Sequence, residues 1–345
     1  MKLRITGKMK AALAYGPRDI RIEEIPIPRI SSGEVLIRVK VCGVCAADFQ
    51  KYIGARGTNI YQRGPIILGH EPSGVVAAVG ENVERVKEGD RVAVDLLMRC
   101  GKCYLCLEGK GNLCIHPAPC PGAFCEYTKA PETNVFRIPK SLSFEEASFA
   151  EPLACCINGI EKLNLLPGQD VVILGAGPIG LMHLQLANLS GARVIVSDPI
   201  QERLDMAMKL GADEIINPLK EDPVEKVRKL TDGKGAHGVI IAVGNILAIE
   251  QGIRMARKGG TVVLFGAVWP PSKIQIDPNL IHYNEISIKG SESRTLDQFY
   301  RALKLIVEGK VRVRPLISKV LPLEDIEEGF KMIEKRSGFK ILVRP

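Results

Sequence analysis

The chain has 345 residues, enough for two domains and a sizeable core, and its 46% hydrophobic and 25% charged content is that of a soluble globular protein. No uninterrupted apolar run approaches the ~20 residues of a membrane-spanning helix, and the basic start MKLRITGKMK has no apolar signal core behind it. A cytoplasmic protein with no membrane partner is expected. The net charge of +8 is spread among 39 acidic residues without a basic block, so no nucleic-acid partner is expected, although a mildly positive surface suits an anionic dinucleotide.

The first third reads as β-rich. Residues 11–15, 20–25, 34–41, 75–79 and 91–94 are short apolar or alternating runs bounded by Gly and Pro. No long helical period interrupts them, which points to a compact, partly open β-barrel. Polar marks fall on its connections: Gly43-Val44-Cys45-Ala46-Ala47-Asp48, then Leu68-Gly69-His70-Glu71-Pro72, and later Phe149-Ala150-Glu151-Pro152. Cys, His and Glu supply the S, N and O donors of a catalytic zinc site, in which three protein ligands leave one position open. Cys45 and His70 are the strongest candidates. Glu71 and Glu151 compete for the third place, one binding directly and the other through water. Cys42 and Cys45 also form a CxxC, but a redox pair needs a helix N-terminus that the sequence does not suggest there.

Cysteine spacing is more informative than the total of ten. Cys100, Cys103, Cys106 and Cys114 place four thiols around a tight loop, the pattern of a closed structural zinc site. Free thiols or an iron–sulfur cluster are the other readings. Cys120, Cys125, Cys155 and Cys156 are expected to be small apolar fillers.

Residues 144–163 read as one helix carrying Glu151. After the turn Pro167-Gly168, the apolar strand 171–174 runs into Gly175-Ala176-Gly177-Pro178-Ile179-Gly180, the dinucleotide-binding turn at a helix N-terminus. Strand 193–197 ends before Asp198, where an acid accepts hydrogen bonds from adenosine ribose hydroxyls and argues for NAD over NADP. Arg203, close by in sequence, keeps a 2′-phosphate in view. Strands at 214–216, 238–243, 261–265 and 285–289 alternate with helices, the clearest at 201–210, and complete a doubly wound parallel sheet. Loops around Val243-Gly244 and Gly266-Ala267 are expected to flank the nicotinamide. Helices at 299–308 and 323–333 and a closing strand at 340–343 follow. Phe124, Tyr52 and residues 292–294 are candidate pocket walls, with Arg294 either meeting a polar substrate or lying solvated in a loop.

These motifs resemble the zinc-containing medium-chain alcohol dehydrogenase family over essentially the whole chain. The resemblance rests on GHExxG at 69–74, the four-cysteine lobe, GAFCEY at 122–127, EPLA at 151–154 and GAGPIG at 175–180. The glutamate of EPLA is similar to the sorbitol (polyol) dehydrogenase branch, with threonine and butanediol dehydrogenases as near relatives. The resemblance implies an α/β fold: a GroES-like catalytic domain at 1–154, a Rossmann NAD-binding domain at 155–290, and a return to the first domain at 291–345. It implies an active site in the cleft between them, NAD, two zinc ions per subunit (one catalytic, one structural) and a homodimer or homotetramer. It implies oxidation of a secondary alcohol, a polyol, sugar alcohol or cyclitol, to the ketone. A threonine/butanediol-type or keto-polyol dehydrogenase with an altered proton relay is the alternative, and a zinc-held NAD-binding protein without catalysis the non-enzyme reading. One departure stands out. Where the family has a Ser or Thr hydroxyl and a His to relay the substrate proton, this chain has Ala47 and Gln50. Ala has no donor or acceptor, and an amide does not titrate near neutrality. Asp48 is retained and is expected to brace the metal-site backbone.

Overall fold

The computed structural model describes residues 5–345 except 56 and 63. Most of the basic start of the chain remains within view, but residues 1–4 lie outside the described set. From the N-terminus the order is β1 (Lys8–Gly16), β2 (Asp19–Pro26), β3 (Glu34–Gly43), α1 (Ala46–Tyr52), β4 (Ile66–Ile67), β5 (Glu71–Val79), β6 (Arg91–Val94), α2 (Tyr104–Leu107), β7 (Tyr127–Pro131), β8 (Val135–Arg137), α3 (Phe144–Ala147) and α4 (Ala150–Glu161). Next come β9 (Asp170–Leu174), α5 (Pro178–Leu189), β10 (Arg193–Ser197), α6 (Gln201–Lys209), β11 (Glu214–Ile216), α7 (Pro223–Leu230), β12 (Ala236–Ile241), α8 (Ile246–Met255), β13 (Ala256–Leu264), α9 (Pro278–His282) and β14 (Ser287–Gly290). The chain closes with α10 (Leu296–Val307), β15 (Ile317–Pro322), α11 (Ile326–Glu334) and β16 (Lys340–Arg344).

The chain divides into two compact units. One comprises Met1–Pro152, Thr295–Gly309 and Val313–Pro345; the other comprises Leu153–Arg294 and Lys310–Arg312. In the first, β2-β1-β4 form a small antiparallel sheet, and a larger sheet runs β15-β16-β3-β5-β6-β8 with β7 also paired to β3. Long β3 is the hub, because it pairs with β5, β7 and β16 along successive parts of its length. Its alternate side chains, Val35, Ile37 and Val39, are buried in one apolar core with Val92, Phe124 and Phe330. Tyr52 from α1 stacks on Phe330 from α11 at 4.4 Å between ring centroids, which seats α1 against the barrel.

The second unit carries the parallel order β11-β10-β9-β12-β13-β14, the doubly wound arrangement expected from the alternation of strands and helices. Its inner strands β9 and β10 are apolar on both faces: Val171, Val172 and Ile173 are fully buried, as are Val194, Ile195 and Val196.

Three local readings need correction. Residues 46–52 form a helix that shows no long apolar period in the sequence. The single helix expected at 144–163 is two, because Pro152 lacks the N–H that a continuous helix would need for a bond back to residue 148. Strand 238–243 lies earlier, as β12, and leaves the ladder at Ile241, whose carbonyl accepts from both Phe265 and Gly266.

His183 in the middle of α5 is fully buried and neither ring nitrogen has a hydrogen-bond partner among the described residues. Its ring meets Phe265 edge-on at 4.8 Å, and Gly159 makes room for it, since a Cβ there would lie 2.7 Å from its Cε1. Burial lowers its pKa from 6.5 to about 3. The folded state therefore refuses a proton that the unfolded chain accepts below about pH 6.5, so stability falls with pH between about 6.5 and 3. His183→Leu should remove this slope. The stability difference between variant and parent, from urea unfolding at a series of pH values, should grow in the variant's favour by roughly 1.4 kcal/mol per pH unit below about 6.5. Parallel curves would refute the assignment.

Candidate active site and its metal-ligating cluster

Cys45 stands at the N-cap of α1, and its sulfur accepts the Ala47 amide at 3.5 Å. Asp48 closes the capping box by accepting the Cys45 amide at 3.3 Å. The same carboxylate, 1% exposed, accepts the Gly69 amide at 3.1 Å and lies 3.1 Å from His70 Nδ1. A carboxylate only accepts, so Nδ1 carries a proton, and in the neutral ring Nε2 is the nitrogen left to ligate a metal. Burial would raise the Asp48 pKa, but the charge and hydrogen bond of His70, with Lys51 and the Gly69 amide, hold it below the usual range. Burial likewise pushes His70 down, and Asp48 more than reverses this, raising it well above 6.5.

The ligand atoms of Cys45, His70 and Glu71 all lie within 4.8 Å of one another. Glu71 opens β5 and is 1% exposed. Its partner is Lys340, which opens β16: Nζ lies 2.6 Å from Oε1 and 2.5 Å from Oε2, the second contact being an ion pair outside hydrogen-bonding angles. Burial raises the Glu71 pKa and the charge of Lys340 restrains that rise, while for Lys340 burial is outweighed by Glu71 and Cys45 and the ammonium is held firmly protonated. Gly43 makes the pair possible. It pairs with Glu71 on one side and Leu342 on the other, and a Cβ at Gly43 would sit within Glu71 Oε2 and 2.9 Å from Lys340 Cε.

Glu151, in the first turn of α4, is 5% exposed and its charge reaches both Glu71 and Lys340, but its carboxylate is not in the close cluster. Ala47 and Gln50 lie on α1, and the Oε1 of Gln50 is buried without a hydrogen-bond partner among the described residues. Sequence reading missed Lys340, which sits 269 residues from Glu71 and carries no local motif. It also missed the helix start at Cys45. Even so, Cys42 is fully buried with its thiol pushed well up by burial, so the CxxC does not present two reactive thiols.

The ligand atoms of Cys100, Cys103, Cys106 and Cys114 also lie within 4.8 Å of one another. Backbone amides point at the sulfurs: Cys103 N–H donates to Cys100 Sγ and Cys100 N–H to Cys114 Sγ, each at 3.3 Å. Such amides lower the Cys103 pKa to about 6, whereas burial raises Cys106 to about 12. Four sulfur donors with no open position suit a structural zinc. Arg99, bound to buried Asp95 at 2.8 Å, fixes the entry to this loop. Of the four remaining expected fillers, Cys125 and Cys156 are buried and Cys155 is half-buried, but Cys120 is exposed. Phe124 and Tyr52, expected as pocket walls, sit in the barrel core, and Arg294 is 5% exposed, not solvated.

In the other unit, Gly175 turns at φ +99°, and a Cβ at Gly180 would collide with the Gly175 carbonyl. Gly177 is the N-cap of α5, with Pro178 and Ile179 opening the helix, and its open side meets only Arg203 Nη1 at 3.9 Å. The turn thus leaves backbone and helix N-terminus accessible to a pyrophosphate. Asp198 is 4% exposed and accepts the Ala176 amide at 2.8 Å and the Ile200 amide at 2.9 Å, so it shapes the turn as well as ending β10. Val243 and Gly266 lie in mutual contact: a Cβ on Gly266 would come within 2.5 Å of the Val243 carbonyl carbon.

A dinucleotide turn on a parallel sheet, and a barrel bearing Cys, His and Glu donors, define a nicotinamide-dependent, metal-assisted dehydrogenase. The family described as alcohol dehydrogenase GroES-like domain matches residues 31–140, and zinc-binding dehydrogenase matches 178–308. A sorbitol dehydrogenase of Bacillus subtilis (strain 168) is 36% identical over 99% of this chain and 98% of its own. An L-threonine 3-dehydrogenase of Bacillus licheniformis is 35% identical over 98% and 99%. The crystal structure of 2R,3R-butanediol dehydrogenase from Bacillus subtilis superposes with a TM-score of 0.87 at 32% identity, covering 98% of this chain and 99% of that one. The chain belongs to the zinc-containing medium-chain alcohol dehydrogenase family, in its sorbitol and threonine dehydrogenase-like branch. It is an oxidoreductase that uses NAD and zinc.

Removing the partner of a buried carboxylate leaves an uncompensated charge. Lys340→Met should therefore destabilise the first unit by roughly 3–5 kcal/mol, and Gly43→Ala should disrupt the same pair by collision. Urea unfolding of the two variants tests this, and a Lys340→Met midpoint within error of the parent would contradict it.

Proposed function

We propose that the protein oxidises a secondary alcohol of a polyol, sugar alcohol or cyclitol to the ketone with NAD. The observation that carries this reading is the close Cys45–His70–Glu71 donor set, mixed in S, N and O and held on a rigid barrel. Such a set fits a catalytic zinc, and the four thiols of Cys100, Cys103, Cys106 and Cys114 fit a structural one. When bound, zinc acidifies a substrate hydroxyl as a Lewis acid and NAD accepts the hydride.

The residues supply the rest. Asp48 fixes the tautomer and direction of His70 while holding the Cys45 backbone. Lys340 pairs with Glu71 and holds its carboxylate in place at the cluster, which favours Glu71 as the direct third ligand. Ala47 and Gln50 cannot relay a proton. Glu151, buried beside the cluster, takes the substrate proton in this reading. Gly175, Gly177 and Gly180 seat the pyrophosphate, Asp198 and Arg203 lie towards the adenosine ribose, and Val243 and Gly266 border the nicotinamide.

Purified protein should contain two zinc ions per chain by elemental analysis and reduce NAD with sorbitol, an inositol or a vicinal diol. A single zinc, or failure across polyols alongside rapid turnover of threonine, would overturn the substrate reading. Glu151→Gln should keep both zinc ions yet lower kcat by roughly 10²–10⁴. Undiminished turnover would rule out Glu151 as the proton acceptor.

A further inference from the structure

The amino-terminal end of the parallel sheet holds a cavity of about 400 Å³ that the dehydrogenase chemistry does not use. Asp170 and Arg193 are the first residues of β9 and β10, and His237 and Arg257 the second residues of β12 and β13. All four line it, with Asp232 and Lys234 from the loop after α7. The dinucleotide turn follows the opposite, carboxyl end of β9, so the two places are separated by the full length of that strand.

The cations here are unequally engaged. Arg193 Nε binds Asp170 at 2.7 Å and its Nη2 donates to the Leu230 carbonyl at the end of α7. Neighbouring Arg228 is committed to the carbonyls of Gly233, Lys234, Arg254 and Ala256. Lys234 lies 3.8 Å from Asp232, with both side chains largely in water, which makes a weak pair. Arg257 has no hydrogen-bond or ion-pair partner among the described residues, and its Nε is buried. A second cavity, of about 340 Å³, shares Lys234 and Arg257 and adds Arg228 and Lys258.

His237 completes the donor set. Its Nδ1 accepts the Asp170 amide at 3.1 Å, which places the ring proton on Nε2. Burial and then the charge of Arg257 lower its pKa, against the pull of Asp170, so it is a neutral donor. An unpartnered guanidinium, a loosely held ammonium and an imidazole N–H on one cavity are complementary to a tetrahedral oxyanion. The volume exceeds what one such group fills and falls in the range of small-molecule sites.

We propose that this cavity binds a phosphate group, free or carried by a small phosphorylated metabolite, through Arg257 and Lys234. The helix ends that point carbonyls towards this region disfavour an anion, and Arg193 and Arg228 neutralise those carbonyls. Arg257 and Lys234 are then the groups left to meet the ligand.

The test titrates the zinc-loaded enzyme with inorganic phosphate by calorimetry, with NAD saturating so that the dinucleotide turn is filled, and sodium chloride at matched ionic strength as blank. Saturable phosphate binding is expected, weakened at least about tenfold in Arg257→Gln with NAD affinity unchanged. Glycerol 3-phosphate binding more tightly than inorganic phosphate identifies an esterified ligand; equal binding identifies free phosphate. If Arg257→Gln does not fold, Lys234→Gln, at a side chain 75% exposed, makes the same comparison and should weaken binding. Absence of saturable binding in the parent, or a folded variant that binds phosphate as tightly, overturns the proposal.

Discussion

One buried carboxylate, Asp48, ties together the backbone and ring of two candidate metal ligands in the first unit. It joins a helix start to a segment that enters the sheet more than twenty residues later, and it touches two of the three close donors, Cys45 through its backbone and His70 through its ring. Charge-assisted hydrogen bonds of this kind fix direction as well as distance. Without them, Cys45 would ride on a short helix free to fray, and His70 would have either nitrogen available. The barrel serves this geometry by seating α1 through the Tyr52–Phe330 stack and by bringing Lys340 beside Glu71 at the far end of the chain. The Glu71–Lys340 pair is a buried ion pair, whose value lies in placing a carboxylate more than in net stability.

The departure at Ala47 and Gln50 bears on the proposed proton path. The resemblance implies a hydroxyl and an imidazole where this chain has Ala47 and Gln50, so in the proposed reaction the proton leaves by another group. The buried acids near the cluster are unequal candidates. Glu71 is bound by Lys340, whereas Glu151 feels the cluster's charges from outside the close donor set. Substrates whose hydroxyl is already acidic, or that carry a neighbouring hydroxyl, would depend least on a relay.

Much of this was legible in the sequence, and what was not has physical reasons. Strand 193–197 could be read directly because its centre, Val194 to Val196, is an apolar run fully buried in the parallel sheet, bounded by polar residues. The cysteine lobe was legible because its ligands come from one short loop. The Gly175–Gly180 turn was legible because Gly175 takes a positive φ and a Cβ at Gly180 would strike the Gly175 carbonyl, while Gly177 leaves its side open. By contrast, Lys340 looked like the start of an ordinary closing strand, since nothing local tells it that Glu71 lies opposite. Gly43 looked like a loop glycine until its two neighbouring strands were in place. The seven-residue α1 is too short for a period to emerge, and its helix is imposed by the Cys45–Asp48 cap and by packing. His183 and Arg257 were equally silent, because the lack of a partner is a property of the folded surroundings.

The central claim is that Cys45, His70 and Glu71 form a metal site distinct from the cysteine lobe. Zinc-edge X-ray absorption on folded Cys103→Ser protein, in which the lobe loses a thiolate, addresses it most directly. The account predicts retained zinc with one sulfur at ~2.3 Å and the remaining shell of nitrogen and oxygen at ~2.0–2.2 Å. A shell made of sulfur alone, or a folded protein with no zinc, would contradict it.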